Sequence, residues 1–100
     1  MKKEFYMTVS VDNNNLKLIK KEGDLDSKIG IIYHKENNGW TATDVYTGRA
    51  LVVACSTKKE CQTKARNLKE QLDIIRNGEK YVQGYINYNE MLQDVKEEQA

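Results

Sequence analysis

The 100-residue chain contains no proline, one histidine and two cysteines. Without proline, no predicted helix or strand is interrupted by a residue that lacks a backbone donor. Cys55 and Cys61 are too few for a disulfide framework, and they predict buried free thiols in a reducing compartment. They are six residues apart, wider than the spacing of half a zinc knuckle, and the sequence predicts no metal site.

Long apolar runs are also missing. No stretch approaches the roughly 18 apolar residues that a membrane span requires, and the N-terminus alternates where a signal peptide would be continuously apolar. With 39% hydrophobic and 31% charged residues, the composition is that of a globular protein. We expect one cytoplasmic domain over residues 1–100, without membrane contact.

Catalytic motifs are absent as well. The sequence has no G-x-S-x-G, no P-loop and no G-x-G-x-x-G. His34 stands alone and is predicted to be a half-exposed strand residue, while Cys61 begins an apolar stripe and is predicted to be inert. We therefore expect no catalytic residue, no cofactor and no enzymatic activity.

Charge is balanced overall but unevenly placed. The formal net charge is +1, which argues against a general polyanion binder. Residues 49–80 hold eight lysines and arginines against four acidic residues, whereas residues 88–100 hold one against four. A basic block is therefore followed by an acidic one.

The first part of the chain carries the alternating pattern of β-strands. Residues 5–11 alternate, the Asp12–Asn15 tetrad predicts a turn, and residues 16–20 are predicted to return as an antiparallel strand. Residues 21–28 are polar and show no period, which predicts a loop.

Three more strands follow. Residues 29–35 are apolar enough on both sides to predict a central strand, and Asn38-Gly39 predicts a type I′ hairpin turn into residues 40–46. Thr47-Gly48 predicts another turn before a fifth strand over residues 49–55.

A capped helix comes next. Thr57 and Glu60 have the spacing of a capping box, which predicts a helix over residues 58–77 that ends in a left-handed cap at Asn77-Gly78. An apolar stripe along this helix predicts that one side packs on the sheet. The stripe consists of Cys61, Ala65, Leu68, Leu72 and Ile75.

The pattern of the C-terminal segment is compatible with two structures. Residues 79–86 fit either a helix or an extended segment, and we favour a short extended segment because of Gly84 and the aromatic content. Asn87 or Asn89 would then cap a last short helix to about residue 98. The fold class is α+β: an antiparallel sheet of about five strands, with one amphipathic helix packed on a face and a short C-terminal helix.

Two groups of residues are candidate binding sites. The exposed side of helix 58–77 could contact nucleic acid or an acidic protein, or could be a solvated helix face. A tyrosine and asparagine patch has the composition of a partner-binding surface, or covers the sheet edge. The basic set is Lys58, Lys59, Lys64, Arg66, Lys69 and Arg76, and the patch is Tyr81, Tyr85, Tyr88, Asn87 and Asn89.

The order of Trp40-Thr41-Ala42-Thr43, Thr47-Gly48 and Thr57-Lys58-Lys59-Glu60-Cys61 resembles the hairpin-helix module of small phage and prophage proteins. Residues 40–77 are also similar to the sheet-plus-helix of integrase arm-type DNA-binding domains. In the arm-type domains, basic strand residues read DNA; here Arg49 is the only such residue in strands 40–55.

These features predict a small non-enzymatic binding protein, and the resemblance implies a phage-encoded inhibitor of a host enzyme or defence system. The expected partner is a host protein, with a second copy of the chain as another occupant of the tyrosine patch. Two other functions stay open. One is a nucleic-acid-binding accessory protein that uses the basic face of helix 58–77, and the other is a small-ligand sponge with a pocket formed between subunits near the tyrosines.

Overall fold

In a computed structural model, which describes residues 2–12 and 15–99, the chain forms five strands followed by three helices. The α+β class is thereby confirmed. The strands are β1 (Lys2–Ser10), β2 (Leu16–Asp26), β3 (Ile31–Glu36), β4 (Gly39–Asp44) and β5 (Ala50–Cys55). The helices are α1 (Lys58–Asn67), α2 (Lys69–Arg76) and α3 (Glu79–Gln99).

The sheet is antiparallel throughout and follows chain order, β1-β2-β3-β4-β5. The predicted first hairpin is confirmed, with a register that runs from Lys2 opposite Asp24 to Ser10 opposite Leu16. Asn13 and Asn14 of the predicted turn lie outside the described residues. On either side of them, the backbone amide of Asn15 donates to the Asp12 carboxylate over 3.0 Å.

The loop predicted over residues 21–28 is wrong, because β2 continues to Asp26. Its last residues pair with β3, from Asp24 opposite Tyr33 to Asp26 opposite Ile31. Gly23 is buried where β2 passes from one partner strand to the other, and a Cβ there would lie 2.6 Å from the Tyr33 carbonyl oxygen. The polar composition of these residues therefore does not indicate the strand, which is formed by pairing with β1 and then with β3.

The hairpin between β3 and β4 is confirmed, but its turn is not type I′. The loop residues are Asn37 and Asn38, and among the described non-glycine residues only Ala54 has a positive φ. Gly39 instead has φ +127°, and a Cβ there would lie 2.5 Å from the Cys55 carbonyl oxygen. Gly39 is needed for the close approach of β5.

The hydrophobic core lies between α1 and one face of β3, β4 and β5. Ile31, Tyr33 and Ala42 from the sheet meet Cys61 and Ala65 from α1. The predicted capping box starts this helix, since the Glu60 amide donates to the Thr57 hydroxyl over 3.1 Å and the Ser56 amide donates to the Glu60 carboxylate over 2.8 Å.

The single helix predicted over residues 58–77 is two helices, which meet at Leu68 with φ −90° and ψ 5°. The stripe is buried at Cys61, Ala65 and Leu72, while Leu68 is partly buried and Ile75 is 48% exposed. The apolar stripe therefore does not stay buried to its last member, because the helix is interrupted at Leu68. The left-handed cap is also wrong, since Asn77 is right-handed with φ −90° and ψ −5°.

The extended segment predicted over residues 79–86 is helical, and the C-terminal helix is not short. α3 runs without interruption over 21 residues. Tyr81 and Tyr88 are two helical turns apart, and both hydroxyls bond to the rest of the fold. This anchoring outweighs the low helix propensity of Gly84.

Residues of β1 also contact the second face of the sheet and the β4–β5 turn. The Phe5 ring lies 4.9 Å from the His34 ring, and the Thr8 amide donates to the Gly48 carbonyl over 2.8 Å. The single-sided burial predicted for residues 5–11 is therefore wrong: Phe5 to Val9 are all partly buried, and Val11 lies exposed beyond the strand.

Candidate functional site

Asp44, at the end of β4, connects the sheet to α2 and α3 through hydrogen bonds. Its carboxylate is 1% exposed and accepts hydrogen bonds from Arg76 over 2.6 Å, from Tyr81 over 2.7 Å and from Thr47 over 2.7 Å. These donors come from the end of α2, the start of α3 and the β4–β5 turn. No local pattern in the sequence indicates this arrangement, because hairpin carboxylates are ordinarily solvated.

The groups around Asp44 titrate accordingly. Burial raises the pKa of Tyr81 far above its ordinary value, and the hydrogen bond and charge of Asp44 raise it further. Burial alone lowers the pKa of Arg76, but the hydrogen bond and charge of Asp44 outweigh it, and the pKa of Arg76 is raised. The raised pKa values keep the Arg76 guanidinium and the Tyr81 phenol protonated at neutral pH.

Arg76 makes two further contacts. It donates to the Gly30 carbonyl over 3.2 Å, and its guanidinium carbon lies 5.1 Å from the centre of the Tyr46 ring. Its Nε is buried without a hydrogen-bond partner among the residues that the structure describes. Arg76 is thus a structural cation, and it does not belong to the exposed basic face on which the sequence placed it.

Tyr88 anchors the middle of α3. Its ring is 6% exposed, and its hydroxyl donates to the Tyr6 carbonyl over 2.8 Å. Gly48 makes room for it, since a Cβ there would lie 2.7 Å from the Tyr88 ring. Burial raises the pKa of Tyr88. Of the three patch tyrosines, Tyr81 and Tyr88 thus face the fold.

Tyr85 faces solvent between Val82 and Ile86. The three side chains are 46%, 46% and 44% exposed in the order Val82, Tyr85, Ile86, and they lie on one side of α3. Asn89 is exposed beside them and donates to the Tyr85 carbonyl over 2.7 Å. Asn87 is also exposed, but it lies on the other side of the helix near Gly84 and accepts from Gln83 over 3.0 Å. The spacing of residues 82, 85, 86 and 89 was a readable helical signal.

An open groove of about 590 Å³ runs alongside Tyr85. Tyr46 from the turn after β4 and Leu92 from α3 line it, with Leu25 and Val45 on the sheet side. Leu25 and Tyr46 are themselves exposed. The exposed side of α3 and this groove form a continuous apolar surface, which we call the α3 face: Val82, Tyr85, Ile86, Tyr46 and Leu25.

A second cleft, of about 540 Å³, lies on the other side of α3. Leu51 from β5, Ile75 from α2 and Tyr81 from α3 contribute its apolar walls, and Arg49 and Lys80 stand among its lining residues. Sequence reasoning noted Arg49 only as a departure from the arm-type pattern.

The basic set is divided between two helices and is partly neutralised. Lys58 pairs with Asp24 over 2.7 Å, Lys64 with Glu60 over 3.1 Å, and Arg66 with Asp26 over 3.4 Å. Two members, Lys59 and Lys69, are exposed and pair with no carboxylate in the described part of the chain. The structure does not bring these cations into one unpaired stripe.

His34 is buried, contrary to the half-exposed prediction. It is 2% exposed, and its two ring nitrogens lie 2.7 Å from the Thr43 hydroxyl and 3.0 Å from the Glu36 carboxylate. Thr41 and Thr43 are buried on the same face. The Phe5 ring of β1 lies against His34 on this face.

Both cysteines are free and buried, as predicted. Burial, followed by the hydrogen bond to Cys55, raises the pKa of Cys61 to about 12. A protonated, enclosed thiol is a poor nucleophile and a poor metal ligand. Among the residues that the structure describes, no group of three or more His, Cys, Asp or Glu side chains could hold a metal ion.

Compared with protein-family models, with curated proteins and with solved structures, the chain matches none. Within residues 2–12 and 15–99, no helix is long and apolar enough to cross a membrane.

Proposed function

We propose that this chain is a small non-enzymatic binding protein of the cytoplasm that docks a folded host protein on the α3 face. The observation that carries the proposal is the exposure of Val82, Tyr85 and Ile86 side by side on a helix whose other tyrosines are engaged with the sheet. Contiguous apolar exposure of this kind marks interaction surfaces.

The chemistry of the α3 face suits protein recognition. Tyrosine offers a large contact area and a hydroxyl at low entropic cost, and the Tyr85 ring is free to offer both. Asn89 provides a polar group at its border, as the rims of interfaces do. The groove beside Tyr85 can take an apolar side chain of the partner.

Charge indicates the kind of partner. Beyond the α3 face, residues 88–100 hold four acidic residues against one lysine. An acidic helix end next to an apolar patch complements a basic surface that surrounds an apolar pocket. The resemblance of residues 40–77 to phage hairpin-helix modules supports a phage-encoded inhibitor, which would act by covering such a surface on a host enzyme or defence protein.

A nucleic-acid-binding accessory role is the second candidate. Lys59 and Lys69, exposed and without a carboxylate partner in the described residues, favour it. The ion pairs of Lys58, Lys64 and Arg66 count against it. Its signature would be an affinity that falls steeply with salt.

The test is site-specific photo-cross-linking in bacterial cytosol. We place p-benzoylphenylalanine at Tyr85 and, as a matched control, at Thr63, which is exposed on α1 away from the α3 face. We expect one host protein to be captured from position 85 and not from position 63, before and after nuclease treatment. That protein should then lose its activity when wild-type chain is added.

Equal products from both positions would contradict the α3 face as the docking surface. Capture that disappears after nuclease treatment would favour the nucleic-acid candidate. A cross-linked dimer of the chain, without a host protein, would assign the α3 face to self-association.

A further inference from the structure

The cleft behind α3 has apolar walls and an ionic rim. The Tyr81 hydroxyl is occupied by its 2.7 Å hydrogen bond to Asp44, so the phenol is not free to serve a ligand. Leu51 is partly buried, and Ile75 is 48% exposed beside it. An exposed Ile75 at the end of α2 has no role in the core, and it borders a cavity of the size that small-molecule sites have.

Three charged side chains stand at the rim: Arg49, Glu79 and Lys80. None of them has a side-chain hydrogen bond or ion pair within the described residues, and their charges leave the rim one unit positive. By contrast, Arg66 and Arg76 both bind carboxylates. Arg49 is therefore an arginine at an apolar cleft with all its donors available.

The position of Arg49 follows from Gly84. A Cβ added at Gly84 would lie 3.9 Å from the Nε, Cζ and Nη2 atoms of Arg49, so the guanidinium rests over the helix at this residue. Glycine within a helix lowers its stability, and at this position no side chain separates the helix from the guanidinium. Arg49 therefore lies beside Gly84, and both residues line the cleft.

We propose that this cleft binds a small amphipathic anion, an acyl or aryl carboxylate. Its apolar body would lie against Leu51, Ile75 and the Tyr81 ring, and its carboxylate would accept hydrogen bonds from Arg49. The planar guanidinium matches a carboxylate with two parallel hydrogen bonds, which makes arginine the cation suited to this role. Lys80 adds positive charge at the same rim, and Glu79 restricts where the anion can sit.

The site is distinct from the α3 face. The two cavities have no lining residue in common, and Tyr85 lines only the groove of the α3 face. Binding at the cleft and docking on the α3 face can therefore each fail without the other.

The experiment is an amide NMR titration of the full chain with decanoate and, separately, with decan-1-ol. The two probes share their apolar body and differ in the carboxylate. We expect decanoate to shift the amides of Leu51, Ile75 and Gly84 saturably and to bind more tightly than decan-1-ol. Arg49→Gln should weaken decanoate by at least about fivefold, the loss of a charge-assisted hydrogen bond, and leave decan-1-ol unchanged.

Lys69→Gln is the matched control, because it removes an exposed unpaired cation on α2 and should change neither probe. Arg49→Gln breaks no side-chain contact of the fold, so it keeps the test valid even where a bulkier cleft-filling variant, Gly84→Leu, fails to fold. Equal affinity for the two probes, an Arg49→Gln effect no larger than that of Lys69→Gln, or shifts centred on Tyr85 and Leu92 would overturn the assignment. An absence of saturable shifts with decanoate would do the same.

Discussion

Arg76 places its Nη2 atom 2.6 Å from Oδ1 of Asp44, and this ion pair joins the end of α2 to the end of β4. The carboxylate side chain is 1% exposed and the guanidinium 21% exposed. The hydroxyls of Tyr81 and Thr47 also donate hydrogen bonds to this carboxylate. The packing of both C-terminal helices therefore depends on one buried charge.

Asp44→Asn should destabilise the protein by about 3 kcal/mol, because it leaves Arg76 partly buried without its counter-charge. Urea unfolding followed by circular dichroism measures the effect. Arg66→Gln is the control: the Arg66 side chain is 63% exposed in its pair with Asp26, and its loss should cost about 0–1 kcal/mol. Similar costs for the two variants would show that Asp44 does not hold the helices.

Leu72 and Ile75 test where the helical stripe ends. Leu72 is buried in the core, and Leu72→Ala should cost about 2–5 kcal/mol. Ile75 is half exposed, and Ile75→Ala should cost less than about 1 kcal/mol. Denaturation midpoints of the two variants measure these losses. Equal losses would support the single unbroken helix over residues 58–77 that the sequence predicts.

Two glycines should respond in opposite directions to alanine. Gly84→Ala meets no atom closer than 3.9 Å and removes a glycine from a helix interior, so it should stabilise by about 0.5–1 kcal/mol. Gly48 has φ +68° and lies against the Tyr6 carbonyl, so Gly48→Ala should cost more than about 1–2 kcal/mol. A destabilised Gly84→Ala variant, seen by thermal melting, would contradict the path assigned to α3.

Glu36 should make stability depend on acid pH. Burial raises the pKa of Glu36, but the hydrogen bonds from His34 and Lys21 outweigh it, and the pKa lies below its ordinary value of 4.5. A carboxyl group with a depressed folded pKa stabilises fully above the unfolded pKa and loses that contribution as the pH falls through the folded pKa. The stability difference between wild type and Glu36→Gln should therefore be largest above about pH 6 and shrink below about pH 4.

Urea midpoints across this range provide the measurement. The Glu4→Gln variant is the control, since Glu4 pairs with Lys20 on an exposed surface. A gap between wild type and Glu36→Gln that stays constant with pH would exclude the assigned hydrogen bonds.

The features that the sequence predicts correctly are those formed by residues close together in the chain. The capping box at Thr57 and Glu60 and the turn at Gly48 are made of residues close in the chain, and both were readable. The last residues of β2 were hidden because their pairing with β3 outweighs their polar composition. The first half of α3 was hidden because Tyr81 and Tyr88 gain their partners, Asp44 and Tyr6, from 37 and 82 residues away.

The candidate site also has some features that local sequence predicts and others that depend on distant residues. The tyrosine and asparagine composition identified the segment, but which rings face solvent depends on the direction of α3, which no local pattern provides. In the sequence, Asp44 and Arg76 each have the features of an ordinary surface residue, because the partner that each needs lies 32 positions away. The Arg49 cleft is built from β5, α2 and α3 and has no counterpart in the linear sequence.

The most direct measurement compares Tyr85→Ala with Tyr88→Phe, in binding to the host protein captured at position 85 and in unfolding. Tyr85 is exposed, so its removal should weaken association by more than about 1 kcal/mol and leave the unfolding midpoint unchanged. Tyr88→Phe deletes the hydroxyl that bonds the Tyr6 carbonyl, so it should lower stability by about 1 kcal/mol and leave association intact. A Tyr85→Ala protein that binds normally but melts early would contradict the account, because Tyr85 would then belong to the fold and not to the docking surface.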